Sequence, residues 1–301
     1  MSISTIALEE RSTGVLAKAA DYLELTKPRI AMLVLVTFVV SGVVARWGQP
    51  DLHGLLHGSL GMFLIAASAS ALNQWLERKR DLRMERTANR PLPSGRLTSA
   101  EAITFAVVTF VAGLIYLTLV VNWLTALFGV VTWVMYVWVY TPLKPITSLN
   151  TAVGAIAGAA PVAMGWTAVG GQVWDLRLLS LFTLVFVWQF PHFMAIAWLY
   201  RRQYAHAGLR MLTVVDPSGR RAGVQAVLGA LALLPVSLMP AMMSPGAGIY
   251  TVLAFVLGVA QLIAAIRFMK RRDDPSARSL LRASLVYLPA LLLMLVLVPL
   301  I

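Results

Sequence analysis

The sequence predicts an all-α fold, a polytopic membrane bundle of nine transmembrane helices. Three observations lead there. Of 301 residues 59% are hydrophobic and 13% charged, whereas a soluble domain carries roughly 25% charged residues. The charges are clustered, and the stretches between them match the ~20 apolar residues that a helix needs to cross a bilayer. The clusters also fall on one side of the membrane once the stretches are threaded back and forth.

Apolar runs between charged or turn-rich breaks lie at about 28–46, 55–76, 102–121, 123–140, 149–168, 178–200, 222–242, 247–266 and 283–301. The first run follows a 27-residue segment expected on the cytoplasmic side. That segment opens MSISTIALEERSTG, with Glu9 and Glu10 and no short apolar stretch before a cleavage site, and so resembles neither a secretory signal nor an acid-poor transit peptide. Pro91, Pro93 and Gly95 stop the chain between the second and third runs. The third and fourth are parted by a tight turn near Asn122. The fifth is rich in small residues (Gly154, Ala155, Gly158, Ala159, Ala160) that permit close helix contact. The whole chain reads as one membrane-embedded domain.

Of the 25 lysines and arginines, Arg46 and Arg177 alone fall on the side opposite the rest. That bias predicts a cytoplasmic N-terminus, an outer C-terminus and an odd helix count. The inner (cytoplasmic) membrane of a bacterial-type cell is the expected location. The same bias accounts for the net charge of +12 without a nucleic-acid partner. The absence of cysteine excludes disulfides, thiolate metal sites and Cys nucleophiles.

Two loops on the basic side are chemically unusual. From Asn73 to Arg96 the chain reads NQWLERKRDLRMERTANRPLPSGR. Asn73, Glu77 and Asp81 are spaced four apart, which lines their oxygens along one helix face. Such hard ligands suit Mg²⁺, which takes one or two carboxylates together with phosphate oxygens of a substrate. Arg86 and Arg90, again four apart, are suited to grip a diphosphate through forked hydrogen bonds. The same spacings also describe a solvated, salt-bridged helix end. The second loop, from Trp188 to Leu212, reads WQFPHFMAIAWLYRRQYAHAGLRML. His192 lies inside an apolar span, where an ionisable group marks a functional candidate, a histidine bonded to neighbouring backbone being the alternative. Arg201, Arg202 and Arg210 are candidates that topology alone also explains. Lys144 and Asn150, in YTPLKPITSLN, supply the polar groups of the 4–5 turn; Lys144 is either a phosphate contact or a snorkelling anchor. His53 and His57 lie on the outer side beside Asp51, as a metal pair or as interfacial side chains without a role. No Walker loop, dinucleotide fingerprint or HExxH is present.

Together these segments resemble the UbiA superfamily of intramembrane prenyltransferases, and within it the branch that farnesylates heme. The resemblance runs from LTKPR (Leu25 to Arg29) through the last spans. It is carried by N-x3-E-x3-D with MERTANRPLPSGR, by YTPLK with Asn150, by GAIAGAAPVAMGW, and by WQFPHF with YRRQYAHAG. It implies nine helices around a central cavity open to lipid, a farnesyl diphosphate donor, a heme b acceptor and Mg²⁺ as cofactor. Asn73, Glu77 and Asp81 become metal ligands, and Arg86, Arg90 and Lys144 diphosphate contacts. His192 becomes a heme-side residue, with Asn150, Tyr200, Arg201, Arg202, Gln203 and Tyr204 as further substrate contacts. Heme-modifying or oxidase-assembly proteins are implied as partners. Trp133, Tyr136, Trp138 and Tyr140 are expected to line the cavity or to form an interface belt.

One departure stands out. Where many relatives have an acidic residue before the tyrosine of the second loop, this chain has Arg201–Arg202–Gln203–Tyr204. Arg201 or Arg202 is therefore expected to do part of a second metal's work. Prenylation of an aromatic or quinone precursor is the alternative reaction. A transporter of a hydrophobic solute would place polar residues at mid-membrane depth, and a structural subunit leaves the acidic–basic loop unexplained.

Overall fold

The computed structural model describes residues 3–241 and 247–297. The expected end of the ninth run at 298–301, position 242 at the end of the seventh, and the side chains of Glu9, Glu10 and Arg11 lie outside what is described.

Among the described residues nine helices are long and apolar enough to cross a membrane, and the protein is a multi-pass membrane protein. A helix not expected from the sequence precedes them: α1 (Ile3–Leu25). Arg96 ties its end to the 2–3 loop, with Nε 2.8 Å from Asp21 Oδ1 and Nη2 2.6 Å from Glu24 Oε2. The spans are α2 (Pro28–Ala45), α3 (Leu52–Asp81), α4 (Ser99–Val121), α5 (Trp123–Leu143), α6 (Asn150–Ala168), α7 (Leu176–Leu199), α8 (Arg220–Leu238), α9 (Ala247–Arg271) and α10 (Asp274–Leu297). Helix α3 runs five residues past the expected end of the second run, which keeps Glu77 and Asp81 helical. Helix α10 begins nine residues before the expected start of the ninth.

Local chemistry explains the breaks. Asn122 is extended; its Oδ1 accepts from the Thr125 backbone N–H and its Nδ2 donates to the Thr167 carbonyl, so one residue ends α4, caps α5 and pins both to α6. Thr98 and Glu101 form a capping box that starts α4. Gly95 takes a positive φ in the turn after Pro93, and Leu92 and Leu97 pack with Leu25 at its base. Helices α4 and α5 each end in a π-helical stretch, Leu117–Val121 and Met135–Tyr140.

Helix α2 packs on α6, α3 on α4, and α7 is flanked by α6, α8 and α10. In lipid such contacts need close backbone approach. A Cβ at Gly165 of α6 would collide with the carbonyl of Phe38 in α2, and one at Gly158 with the Gln189 amide of α7. Trp166, Leu181, Leu184, Tyr287 and Leu291 form the largest core, where α6, α7 and α10 meet.

Candidate active site

Between α2, α3, α5, α6 and α7 lies a cavity of about 440 Å³. Its two ends differ in chemistry. At the basic face of the membrane it is lined by Lys27, Asn73, Glu77, Arg80, Asp81, Arg86, Arg90 and Lys144. Along α3 the wall then turns apolar through Ser70, Ala69, Ala66 and Ile65 to Met62. These positions recur every three or four residues, as one face of a helix must.

The polar end is a chain of oxygen–cation pairs. Asn73, Glu77 and Asp81 are all buried, at 0%, 7% and 1% exposure. Each oxygen-bearing group holds a cation from another part of the chain. Lys27 Nζ donates to Asn73 Oδ1. Lys144 Nζ lies 2.8 Å from Glu77 Oε1 and 3.0 Å from Oε2. Arg90 Nη1 donates to Asp81 Oδ2 at 2.9 Å. The Asn73 amide in turn donates to Glu77 Oε2 and to Thr141 Oγ1. Burial works against the Lys144 ammonium, but the Glu77 carboxylate outweighs it and holds its pKa above the usual lysine range. Lys27 lacks such a full counter-charge; burial, with Arg90 close by, pushes it down to about 7.

Lys27 was missed in the sequence, where it counted as one basic flank among many. Its backbone lies in the left-handed region (φ 54°) immediately before Pro28, a conformation that costs of order 1–3 kcal/mol for a non-glycine residue and persists where surrounding contacts impose it. That strain aims the side chain at Asn73, 46 positions away.

Arg86 and Arg90 do not form a pair on one helix face. The short helix Glu85–Ala88 ends between them, so Arg90 turns back to Asp81 while Arg86 crosses to the second loop. The Arg86 guanidinium stacks over the Tyr200 ring, 4.6 Å from its centroid, and Nη2 lies 3.4 Å from the Tyr204 hydroxyl. Tyr204 lines the cavity, and Tyr200 backs Arg86 from behind. Arg201 is turned the other way, with Nη1 2.9 Å from Asp274 Oδ1 and its guanidinium over the Trp198 ring. Neither Arg201, Arg202 nor Gln203 lines the cavity, so the geometry corrects the expectation that Arg201 or Arg202 brings charge to a second metal position. The cation beside Tyr204 is Arg86. Asn150 also faces away: its amide donates to the Thr147 and Arg210 carbonyls and clips the second loop to the 4–5 turn.

Aromatic groups form one flank. Trp133, Tyr136 and Tyr140 line the cavity, whereas Trp138 is half exposed on the outer surface of the bundle. The wider π-helical turn brings Tyr136 and Tyr140 onto one face with ring centroids 5.5 Å apart. Trp133 is held by its indole N–H, which donates to Ser68 Oγ at 3.0 Å. Opposite, His192 stacks on Trp188 at 4.7 Å, and its Nδ1 is 2.9 Å from Ser284 Oγ. The Ser284 hydroxyl also lies 2.7 Å from the Leu281 carbonyl.

Among the described residues no three His, Cys, Asp or Glu side chains gather into a metal cage. At the membrane face opposite the basic one, His53 and His57 stack at 4.4 Å, and His57 Nδ1 meets the Tyr116 hydroxyl at 2.6 Å. At the inner corner the donor set of one amide oxygen and two carboxylates nevertheless fits Mg²⁺, which completes its shell with water and substrate phosphate.

Residues 34–295 match the family model of the UbiA prenyltransferase family. The chain is 44% identical over 281 residues to the protoheme IX farnesyltransferase of Solibacter usitatus, covering 89% of this chain and 95% of that protein. It is 46% identical over 282 residues to the protein of the same name from Rhodopirellula baltica, covering 91% and 98%. Among solved structures it resembles a digeranylgeranylglyceryl phosphate synthase, with a TM-score of 0.76 at 15% identity over 94% of this chain and 99% of the other. It also resembles a UbiA homologue from Archaeoglobus fulgidus bound to GPP and Mg²⁺, with a TM-score of 0.64 at 16% identity over 92% and 99%.

Proposed function

The chain belongs to the UbiA prenyltransferase family, and from that premise we propose that it transfers a farnesyl group from farnesyl diphosphate to a vinyl group of heme b, giving heme o. The observation that carries this is the cavity itself, a buried acidic–basic corner joined to an apolar, aromatic-walled interior.

The donor enters from the bilayer with its diphosphate at the corner. Five cationic side chains face two carboxylates there, an excess of positive charge that matches a diphosphate. Lys27, Arg86, Arg90 and Lys144 bind its oxygens and stabilise the charge that develops on departure. Asn73, Glu77 and Asp81 would hold Mg²⁺, which when bound would supply positive charge to the departing diphosphate. From Asn73 to Met62 the α3 wall descends about 16 Å at a rise of about 1.5 Å per residue, room for an extended chain of a few isoprene units.

The C–O bond breaks with its electron pair leaving on diphosphate, and the allylic carbon gains cationic character. Tyr136, Tyr140 and Trp133 present ring faces that favour such charge and exclude water until the acceptor arrives. The heme would lie against Trp188, His192 and Phe193, which line the cavity opposite the aromatic flank. The vinyl π electrons form the new C–C bond; water then adds to the resulting cation and loses a proton, yielding a hydroxyethylfarnesyl substituent.

The protein resides in the cytoplasmic membrane with its N-terminus and catalytic corner inside, as the basic bias supports. Its hydrophobic product requires a membrane-bound recipient such as a heme-modifying or oxidase-assembly protein. The test is to supply membranes containing the protein with heme b, farnesyl diphosphate and Mg²⁺ and to separate the hemes by chromatography. A farnesylated heme is expected; prenylation of a quinone precursor with heme untouched would refute the reading.

A further inference from the structure

Helices α6 and α8 both pack on α7, and a furrow of about 590 Å³ lies between them at the basic face of the membrane. It is separate from the catalytic cavity and independent of the reaction proposed above. Its upper rim is polar, formed by Ser148, Arg220, Arg221 and Gln225. Its wall is apolar, formed by Leu149 and Ala152 from the α6 side and by Val224 and Leu228 from α8. Residues 220, 224 and 228 are one turn apart, so a single face of α8 runs from guanidinium to hydrocarbon as it enters the membrane.

The two arginines lie outside the salt bridges of the bundle. Both are exposed, and among the described residues no salt bridge includes either. Asp216, the nearby acidic group, accepts from Ser218 Oγ through Oδ1 and from the Arg221 backbone N–H through Oδ2; it forms no salt bridge with either guanidinium and offsets only part of the charge of Arg221. Below them Leu149 and Leu228 remain 67% and 60% exposed. A groove in this position is filled by lipid, and its charge selects which lipid. A phosphate monoanion satisfies two guanidinium forks, whereas a zwitterionic headgroup also brings a cation against them. Basic pockets between helices at this membrane face take anionic headgroups for that reason.

We propose that this furrow is a binding site for an anionic glycerophospholipid, with the phosphate between Arg220 and Arg221 and an acyl chain along Leu149, Ala152, Val224 and Leu228. The full chain, purified in mild detergent, is titrated with phosphatidylglycerol or phosphatidylcholine and examined by native mass spectrometry. One phosphatidylglycerol per chain is expected to remain bound under activation that strips phosphatidylcholine. R220Q/R221Q should weaken its retention about 30-fold, and L228W, which fills the wall and keeps both arginines, should also displace it. The pair R271Q/R272Q, on the same membrane face away from the furrow, should retain the lipid. Equal retention of the two lipids, wild-type retention by R220Q/R221Q or L228W, or equal loss in R271Q/R272Q would overturn the proposal.

Discussion

Asp81→Asn tests the two roles proposed for one carboxylate at the polar end of the cavity. Asp81 is 1% exposed and accepts a 2.9 Å hydrogen bond from Arg90 Nη1. Asparagine keeps the size and an acceptor oxygen but removes the charge. A hydrogen bond to a charged group contributes about 1.5–3 kcal/mol, and because the Arg90 side chain is 25% exposed its guanidinium recovers some hydration, which places the stability loss near the lower figure. The effect on rate is larger. A metal contributes several kcal/mol of charge stabilisation in the transition state, and losing about 4 kcal/mol of it slows turnover roughly 10³-fold. Conversion of heme b to farnesylated heme is followed in membranes across a Mg²⁺ series, and unfolding in detergent is followed in parallel. D81N should melt only slightly earlier, yet fall about 10³-fold in turnover and need more Mg²⁺. Arg90→Met is the control, raising KM for the prenyl diphosphate with a smaller effect on kcat. If D81N keeps full turnover, or if D81N, R90M and the double variant all lose the same amount, Asp81 merely positions Arg90 and the metal assignment is wrong.

Lys27→Met should raise KM for the prenyl diphosphate about 10- to 100-fold, the equivalent of one charged hydrogen bond, while leaving the bundle folded; an unchanged KM would remove Lys27 from the site. Gly165→Ala drives a methyl into the Phe38 carbonyl, and because backbone cannot swing aside, the cost should reach about 3 kcal/mol, seen as a lowered melting temperature in detergent. Arg201→Gln breaks the pair with Asp274 outside the cavity, so turnover and Mg²⁺ dependence should stay within about twofold of wild type. A large shift in Mg²⁺ dependence would return Arg201 to the reaction.

Much of the site was legible because it is local. Asn73, Glu77 and Asp81 share one helix, and a spacing of four fixes their common face wherever that helix packs. Within the aromatic run Trp138 is two residues from both Tyr136 and Tyr140, which turns it to the opposite helix face, so it faces outward while the others line the cavity. Arg86 and Arg90 have helical spacing as well, but the turn at Thr87–Arg90 parts them. The second loop was the least legible. Whether Arg201 or Arg86 faces the cavity depends on Asp274 and Tyr200, which lie 73 and 114 positions away in the chain.

By itself the sequence determined that the chain crosses a membrane, how many spans it has, which face is basic, and which helix carries Asn73, Glu77 and Asp81 on one face. Each of these follows from the periodicity of one segment or from a cost of exposing charge to lipid that holds in any packing. The tertiary structure alone decided which cation meets which oxygen. Lys27 reaches Asn73 and Lys144 reaches Glu77 because close-packed glycines bring α2, α3, α5 and α6 within a side chain's length. Basic residues spaced along the chain as topology signals are chemically alike until that packing selects a few of them for the cavity.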